Sequence, residues 1–191
     1  MAPKRSKVYG VGINDYPLPK RQCPTYQTWI EMLRRCYSPL FQQRNPTYIG
    51  CTVDPQWYSL STFTEWALNN GYEKGLHLDK DMLTPGNKVY SPDTCIFISK
   101  ELNKLLTINK RITNGLPVGV RKKNNTPNYS AEGRVDNKWT HIGNYPTPEL
   151  AHEAYKQFKR KTILTYKERE TNPTVKQALQ HVHDNLEQYI K

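Results

Sequence analysis

The sequence has no long apolar run. Its longest aliphatic or aromatic stretches, such as Ile96-Phe97-Ile98, are a few residues long, and Met1-Ala2-Pro3-Lys4-Arg5 leads into no apolar block. A membrane-spanning helix needs about 20 apolar residues, so neither a membrane partner nor a secretory signal is expected. Cysteine is sparse and unpatterned: Cys23, Cys36, Cys51 and Cys95 show no C-x-x-C spacing. Neither a disulfide scaffold nor a zinc cluster is expected, and the thiols read as reduced ones in a cytoplasmic protein. Gly10-Val11-Gly12 lacks the rest of a nucleotide-binding fingerprint, and neither a P-loop nor a Ser-His-Asp triad is recognisable, so no small-molecule cofactor is expected. Acidic residues are also short, with 17 Asp+Glu against 28 Lys+Arg and a formal net charge of +11. Such an excess points to an anionic polymer as partner, nucleic acid first.

Core-forming residues are present in quantity. Hydrophobic residues make up 36% of the 191 positions and include 4 Trp and 13 Tyr, enough for one or two small domains. The charge is unevenly spread along them. Residues 1–40 hold seven Lys/Arg against two acids, residues 45–100 hold four against six, and residues 101–170 hold fourteen against seven. Two basic regions therefore flank a mildly acidic centre, the pattern expected where carboxylates hold a divalent cation within a positive surround.

The periodicity predicts an α+β chain. Residues 1–24, with Gly10, Gly12, Pro17 and Pro19 among basic residues, suit an extended arm. Tyr26, Trp29, Ile30, Leu33 and Tyr37 recur at helical spacing, with Arg34 and Arg35 near the C-terminal end. Residues 48–53 read as a short strand, and Ser59 or Ser61 can cap a helix carrying Phe63, Trp66 and Ala67. A strand around 76–81, a long loop, a strand over 94–99 and a helix capped by Ser99 make a β-β-α unit. Residues 118–122, 129–135 and 139–145 form an antiparallel meander. Thr147-Pro148-Glu149 then opens an amphipathic helix whose second half carries Lys159-Arg160-Lys161, read as solvated charge. Val175, Ala178, Leu179, Val182, Leu186 and Ile190 fall in register on one last helix.

Several ordered motifs resemble those of phage-type HNH endonucleases. They are Trp29, Met32 and Arg35-Cys36-Tyr37; Tyr48 to Val53, Trp57, Phe63 and Trp66; Leu78-Asp79-Lys80-Asp81; Gly86-Asn87-Lys88-Val89-Tyr90-Ser91-Pro92-Asp93-Thr94-Cys95; and Asn103. The resemblance implies an N-terminal ββα-metal domain over residues 25–108, with Asp79 and Asn103 as ligands of a divalent metal, Mg²⁺ or Mn²⁺. Lys80 stands where that family has its general-base histidine, and Thr94 where a structural Asn is common. An ordinary lysine is protonated at neutral pH, so Lys80 would serve as a contact to phosphate or the leaving group. His77 lies two residues before Asp79, on the same face of a strand, and is the candidate replacement base. Asn87 and Tyr90 are further candidates for positioning a phosphate.

The stretch Gly119-Val120-Arg121-Lys122, Tyr129-Ser130-Ala131, Lys138 to Tyr145 and Thr147-Pro148-Glu149-Leu150-Ala151 resembles the DNA-binding domain of APETALA-two/ethylene-response factors. That resemblance implies a three-stranded antiparallel sheet packed on a helix over residues 117–170, the sheet lying in the major groove. Arg121, Lys123, Arg134, Lys138 and Trp139 are its candidate contacts, with Arg34 and Arg35 added from the first domain. Trp139 is equally readable as packing. Residues 174–191 remain as a C-terminal amphipathic helix.

The function expected is that of a monomeric endonuclease acting on double-stranded DNA, in the cytoplasm of a bacterial host if the chain is phage-encoded. The alternative is a catalytically inactive DNA-binding or regulatory protein built on a degenerate HNH domain.

Overall fold

Helix α1 (Tyr26–Tyr37) forms where the apolar spacing places Trp29, Met32, Leu33 and Cys36 on one buried face. It belongs to the first of two units, residues 1–98 and 99–191, of a computed structural model that describes residues 7–106, 115–123, 126–136 and 138–190. Among these residues the chain is α+β, with seven α-helices and three small sheets. No helix among them is long and apolar enough to cross a membrane.

In the first unit, Ser38 caps a helix that the sequence did not announce, α2 (Pro39–Arg44), by accepting from the Phe41 amide. The strand expected at 48–53 shrinks to β1 (Thr52–Val53), because Pro46–Tyr48 close a 3₁₀ turn before it. β1 pairs in parallel with β3 (Val89–Tyr90), a pairing of distant two-residue segments that local periodicity cannot reveal. Of the two candidate caps, Ser59 serves α3 (Leu60–Asn69), its hydroxyl oxygen accepting from the Thr62 amide at 3.1 Å. β2 (His77–Asp79) and β4 (Ile96–Ile98) pair antiparallel, with Leu78 opposite Phe97. The core gathers Trp29, Trp57, Leu60, Phe63, Leu78 and Phe97, and the Trp29 indole N–H donates to the Trp57 carbonyl at 2.7 Å.

The segment read as an extended arm is anchored from Val8 onward. Ile13 bridges to Ser59, and the Asp15 carboxylate accepts from the Ser59 hydroxyl at 2.7 Å and the Ser61 amide at 2.9 Å. It thereby covers the positive N-terminus of α3.

The second unit begins with α4 (Lys100–Leu106), capped as expected by Ser99. β5 (Val120–Lys122), β6 (Tyr129–Val135) and β7 (Lys138–Tyr145) form an antiparallel sheet in that order, with a register shift at Ala131/Glu132. α5 (Pro148–Arg169) starts at the Thr147 cap with Pro at its first position and lies on one face of the sheet. The single helix expected over 174–191 is instead α6 (Pro173–Asp184), packed on α5, and a short α7 (Leu186–Tyr189), broken at Asn185. Residues 107–114, between α4 and the expected meander, and 124, 125 and 137 within it, fall outside the described residues.

Lys159 corrects one expectation. It is only 8% exposed, and its ammonium donates to the Leu105 carbonyl at the end of α4. Of its neighbours, Lys161 is exposed as expected, while Arg160 is half-buried and paired with Glu187. Burial lowers the Lys159 pKa to about 8. A lysine in the unfolded chain titrates near 10.4, so between these values the unfolded chain holds the extra proton and stability rises with pH. Lys159→Met is expected to stabilise the protein at pH 7, with an upper bound on the order of 3 kcal/mol from that pKa difference. Chemical denaturation across pH 7 to 10.5 should show the gap to wild type closing as the pH rises.

Candidate functional site

Two acids of the acidic centre, Asp79 and Asp81, stand at the end of β2. Strand alternation puts His77 and Asp79 on one face, with buried Leu78 pointing the other way into the core. The chain turns sharply after Asp79 because its Oδ1 accepts from the Asp81 amide at 2.9 Å and the Met82 amide at 2.6 Å. Burial, aided by the nearby Asp81 charge, raises the Asp79 pKa above the usual carboxylate value, against the pull of those two amides. A carboxylate so placed gains from an external cation, which offsets the desolvation of its charge.

Lys80 is not placed as the resemblance implied. Its side chain is buried, with Nζ 2.7 Å from Asp81 Oδ2 and 2.5 Å from the Asn87 carbonyl, above the Tyr90 ring. It offers no exposed ammonium to a phosphate. Asn87 completes the tie, its amide donating to the carbonyls of Lys80 at 3.0 Å and Val89 at 2.7 Å while its Oδ1 accepts from the Val89 amide. Thr94, where the family often has Asn, donates to the Val89 carbonyl at 2.8 Å and pairs with the Ser91 hydroxyl at 2.9 Å. The run from Lys80 to Thr94 is therefore a hydrogen-bonded brace that fixes the loop between β2 and β4. Asp81 in this brace was missed by sequence reasoning, since adjacency to Lys80 carries no sign of pairing.

Arg34 and Arg35 are likewise engaged inside the first unit. Arg34 pairs with Glu31 and lies 4.7 Å from the Phe41 ring, while Arg35 is 3.4 Å from the Tyr90 hydroxyl and 5.7 Å from the Tyr48 ring. Tyr90 itself is buried, so its hydroxyl is committed to Arg35. Asn103 is half-buried on α4, in the second unit.

Among the described residues no three His, Cys, Asp or Glu side chains are grouped to hold a metal ion. Burial pushes the Cys36 and Cys95 thiols up to about 12, which keeps them protonated and poor ligands. The donor that fits a hard cation is Asp79. Mg²⁺ commonly retains several waters and takes one or two carboxylates with substrate phosphate oxygens, so a site with few protein ligands suits it.

The sheet of the second unit has two unlike faces. One carries Val120, Ala131 and Gly133 beneath α5, where Tyr155 and Phe158 sit. The other presents Arg121, Glu132, Arg134 and Trp139, because Arg121 opposes Ser130 and Arg134 opposes Trp139 in register. Trp139 is 69% exposed, which decides its reading against packing. The Arg121 guanidinium lies 5.8 Å from the Trp139 ring, and its Nε is 3.3 Å from Glu132 Oε2. Lys123 is exposed just beyond the end of β5. Lys138 departs from the expected set: it opposes Val135, and alternation directs it to the face opposite Trp139. Compared with protein-family models, with characterised proteins and with solved structures, the chain matches none.

Proposed function

We propose that the chain is a DNA endonuclease of HNH type, in which Asp79 supplies a carboxylate ligand to Mg²⁺ or Mn²⁺ and the outer face of the β5–β7 sheet holds double-stranded DNA. The observation that carries this reading is Asp79: a carboxylate desolvated at a strand end, with one oxygen fixed by two amides and a histidine on its own strand face. The metal, when bound, stabilises the charge that develops on the phosphate and on the leaving oxygen. His77 accepts the proton of the attacking water, and its position two residues from Asp79 keeps it within about 7 Å along the strand. The brace from Lys80 to Thr94 keeps Asp79 at a fixed place, so the site needs little rearrangement on binding DNA.

Burial of Lys80 favours a second reading. The position that the family gives to its base is here a structural lysine, as in a chain that binds DNA without cutting it. Supercoiled plasmid separates the two. Nicking that depends on Mg²⁺ or Mn²⁺ and stops in EDTA supports the endonuclease, whereas full plasmid integrity under either metal supports the binding protein.

On the sheet, Arg is suited to guanine and an exposed Trp beside it adds flat apolar contact. Arg121→Ala is expected to weaken duplex binding by roughly five- to 150-fold, the range for losing one good bidentate contact. Trp139→Ala should act in the same direction, and Lys138→Ala should change affinity least. Fluorescence anisotropy with labelled duplex in EDTA measures all three without interference from cleavage.

A further inference from the structure

A cavity lies in the first unit, between α1, the segment around Arg21–Pro24 and the approach to β2. It is a half-open cleft of about 610 Å³, within the size range of small-molecule sites. Its apolar lining includes the half-buried Leu76 and Tyr72, with buried Cys23, Met32 and Leu78 behind them. Around that surface stand Arg21, Arg35, Lys74 and His77, and the one acid in the wall, Glu31, is already paired with Arg34. Arg21 and Lys74 are exposed and form no salt bridge among the described residues.

An apolar floor with cations at its rim selects a ligand that is flat and apolar at one end and anionic at the other. We propose that this cleft binds a single unpaired nucleotide, its base against Leu76 and Tyr72 and its phosphate between Arg21 and Lys74. The base stacks without a requirement for identity, because every base has an apolar face, and the lysine and arginine neutralise the phosphate. A paired base is hidden within a duplex, so the occupant is a displaced or single-stranded nucleotide. His77 lines the cleft and shares the β2 face with Asp79, which places an occupied cleft beside the proposed cutting site. The choice of a nucleotide over other amphipathic anions rests on the proposed action on DNA, whereas its binding requires neither metal nor cleavage.

The test is an amide NMR titration of the full chain, in EDTA, with deoxyadenosine 5′-monophosphate, orthophosphate and deoxyadenosine. The expected result is saturable shifts at Gln27, Thr28, Gly75 and Leu76, with the nucleotide binding at least about tenfold more tightly than either fragment, as joined charge-assisted and stacking contacts provide. Arg21→Glu with Lys74→Glu should weaken it by about tenfold or more. Gln27→Trp, which fills the cleft from an exposed helix position without removing a cation, should do the same, while Arg121→Glu in the second unit should leave it unchanged. Equal affinity for orthophosphate and nucleotide, or indifference to Gln27→Trp, overturns the inference in favour of a plain anion site. Nucleotide binding without plasmid nicking rejects the endonuclease and keeps the cleft; nicking without nucleotide binding does the reverse.

Discussion

Asp79→Asn is expected to abolish metal-dependent nicking, with a loss of at least about a thousandfold, while raising the thermal midpoint of the protein in EDTA. The two effects have one origin. Asn keeps an oxygen for the Asp81 and Met82 amides, so the turn after β2 survives. It removes a negative charge that burial makes costly. The loss estimate follows from the several kcal/mol of charge stabilisation that a bound metal supplies to phosphate displacement. The pH dependence has a definite sign. Because the folded Asp79 pKa is raised, the wild type is favoured by protonation at low pH and loses that advantage as the pH rises from the unfolded carboxyl value through the folded one. The stability gap between Asn variant and wild type should therefore open over that interval and stay constant above it. Added Mg²⁺ should raise the wild-type midpoint by linkage and leave the variant unmoved. A variant that still nicks, or a wild type that Mg²⁺ does not stabilise, removes Asp79 from the metal site.

Gly119→Ala should be among the most destabilising single changes in the second unit, costing roughly 2–5 kcal/mol. Gly119 has a φ of +81°, and a methyl group there would stand 2.2 Å from the Tyr155 ring. Left-handed backbone strain contributes about 1–2 kcal/mol and overpacking about 1–3 kcal/mol. Tyr155 is buried, and the Gly119 carbonyl is held by the Glu132 amide at 2.8 Å. Gly115→Ala is the control. Its φ is +80°, yet a methyl group would meet nothing within 4 Å, so only the backbone share of the cost remains. Urea denaturation of the two variants, with amide exchange in β5–β7 and α5, measures the difference that Tyr155 imposes. Equal destabilisation would mean that the ring yields.

Local patterns in the chain were enough for α1, α3, α4, α5 and the meander, but not for α2 or for the break at Asn185. Trp29, Met32, Leu33 and Cys36 bury one face of α1 because a 3.6-residue period can bury only one, and Ser59, Ser99 and Thr147 cap the helices they precede. Asp79 was legible in the same way, as an acid at a strand end in a motif order resembling that of HNH enzymes. The parallel pairing of β1 with β3 was not, since two residues carry no periodicity and the partner lies far along the chain. Lys159 was misread because helical charge and helical burial are told apart only by what covers the helix.

The opening deficits keep their meaning with one refinement. The shortage of acids and of apolar runs by itself determined a basic α+β chain with enough aromatic residues for two cores, because composition and period set which surfaces must leave water. Which charges remain to act was decided only by the tertiary structure. Lys80 and Arg35 are counted in the +11 yet are spent on Asp81 and Tyr90, while Arg121 and Trp139 stay on an outer sheet face. A charge acts on a partner only if folding has left it near water, and that depends on contacts between residues distant in sequence.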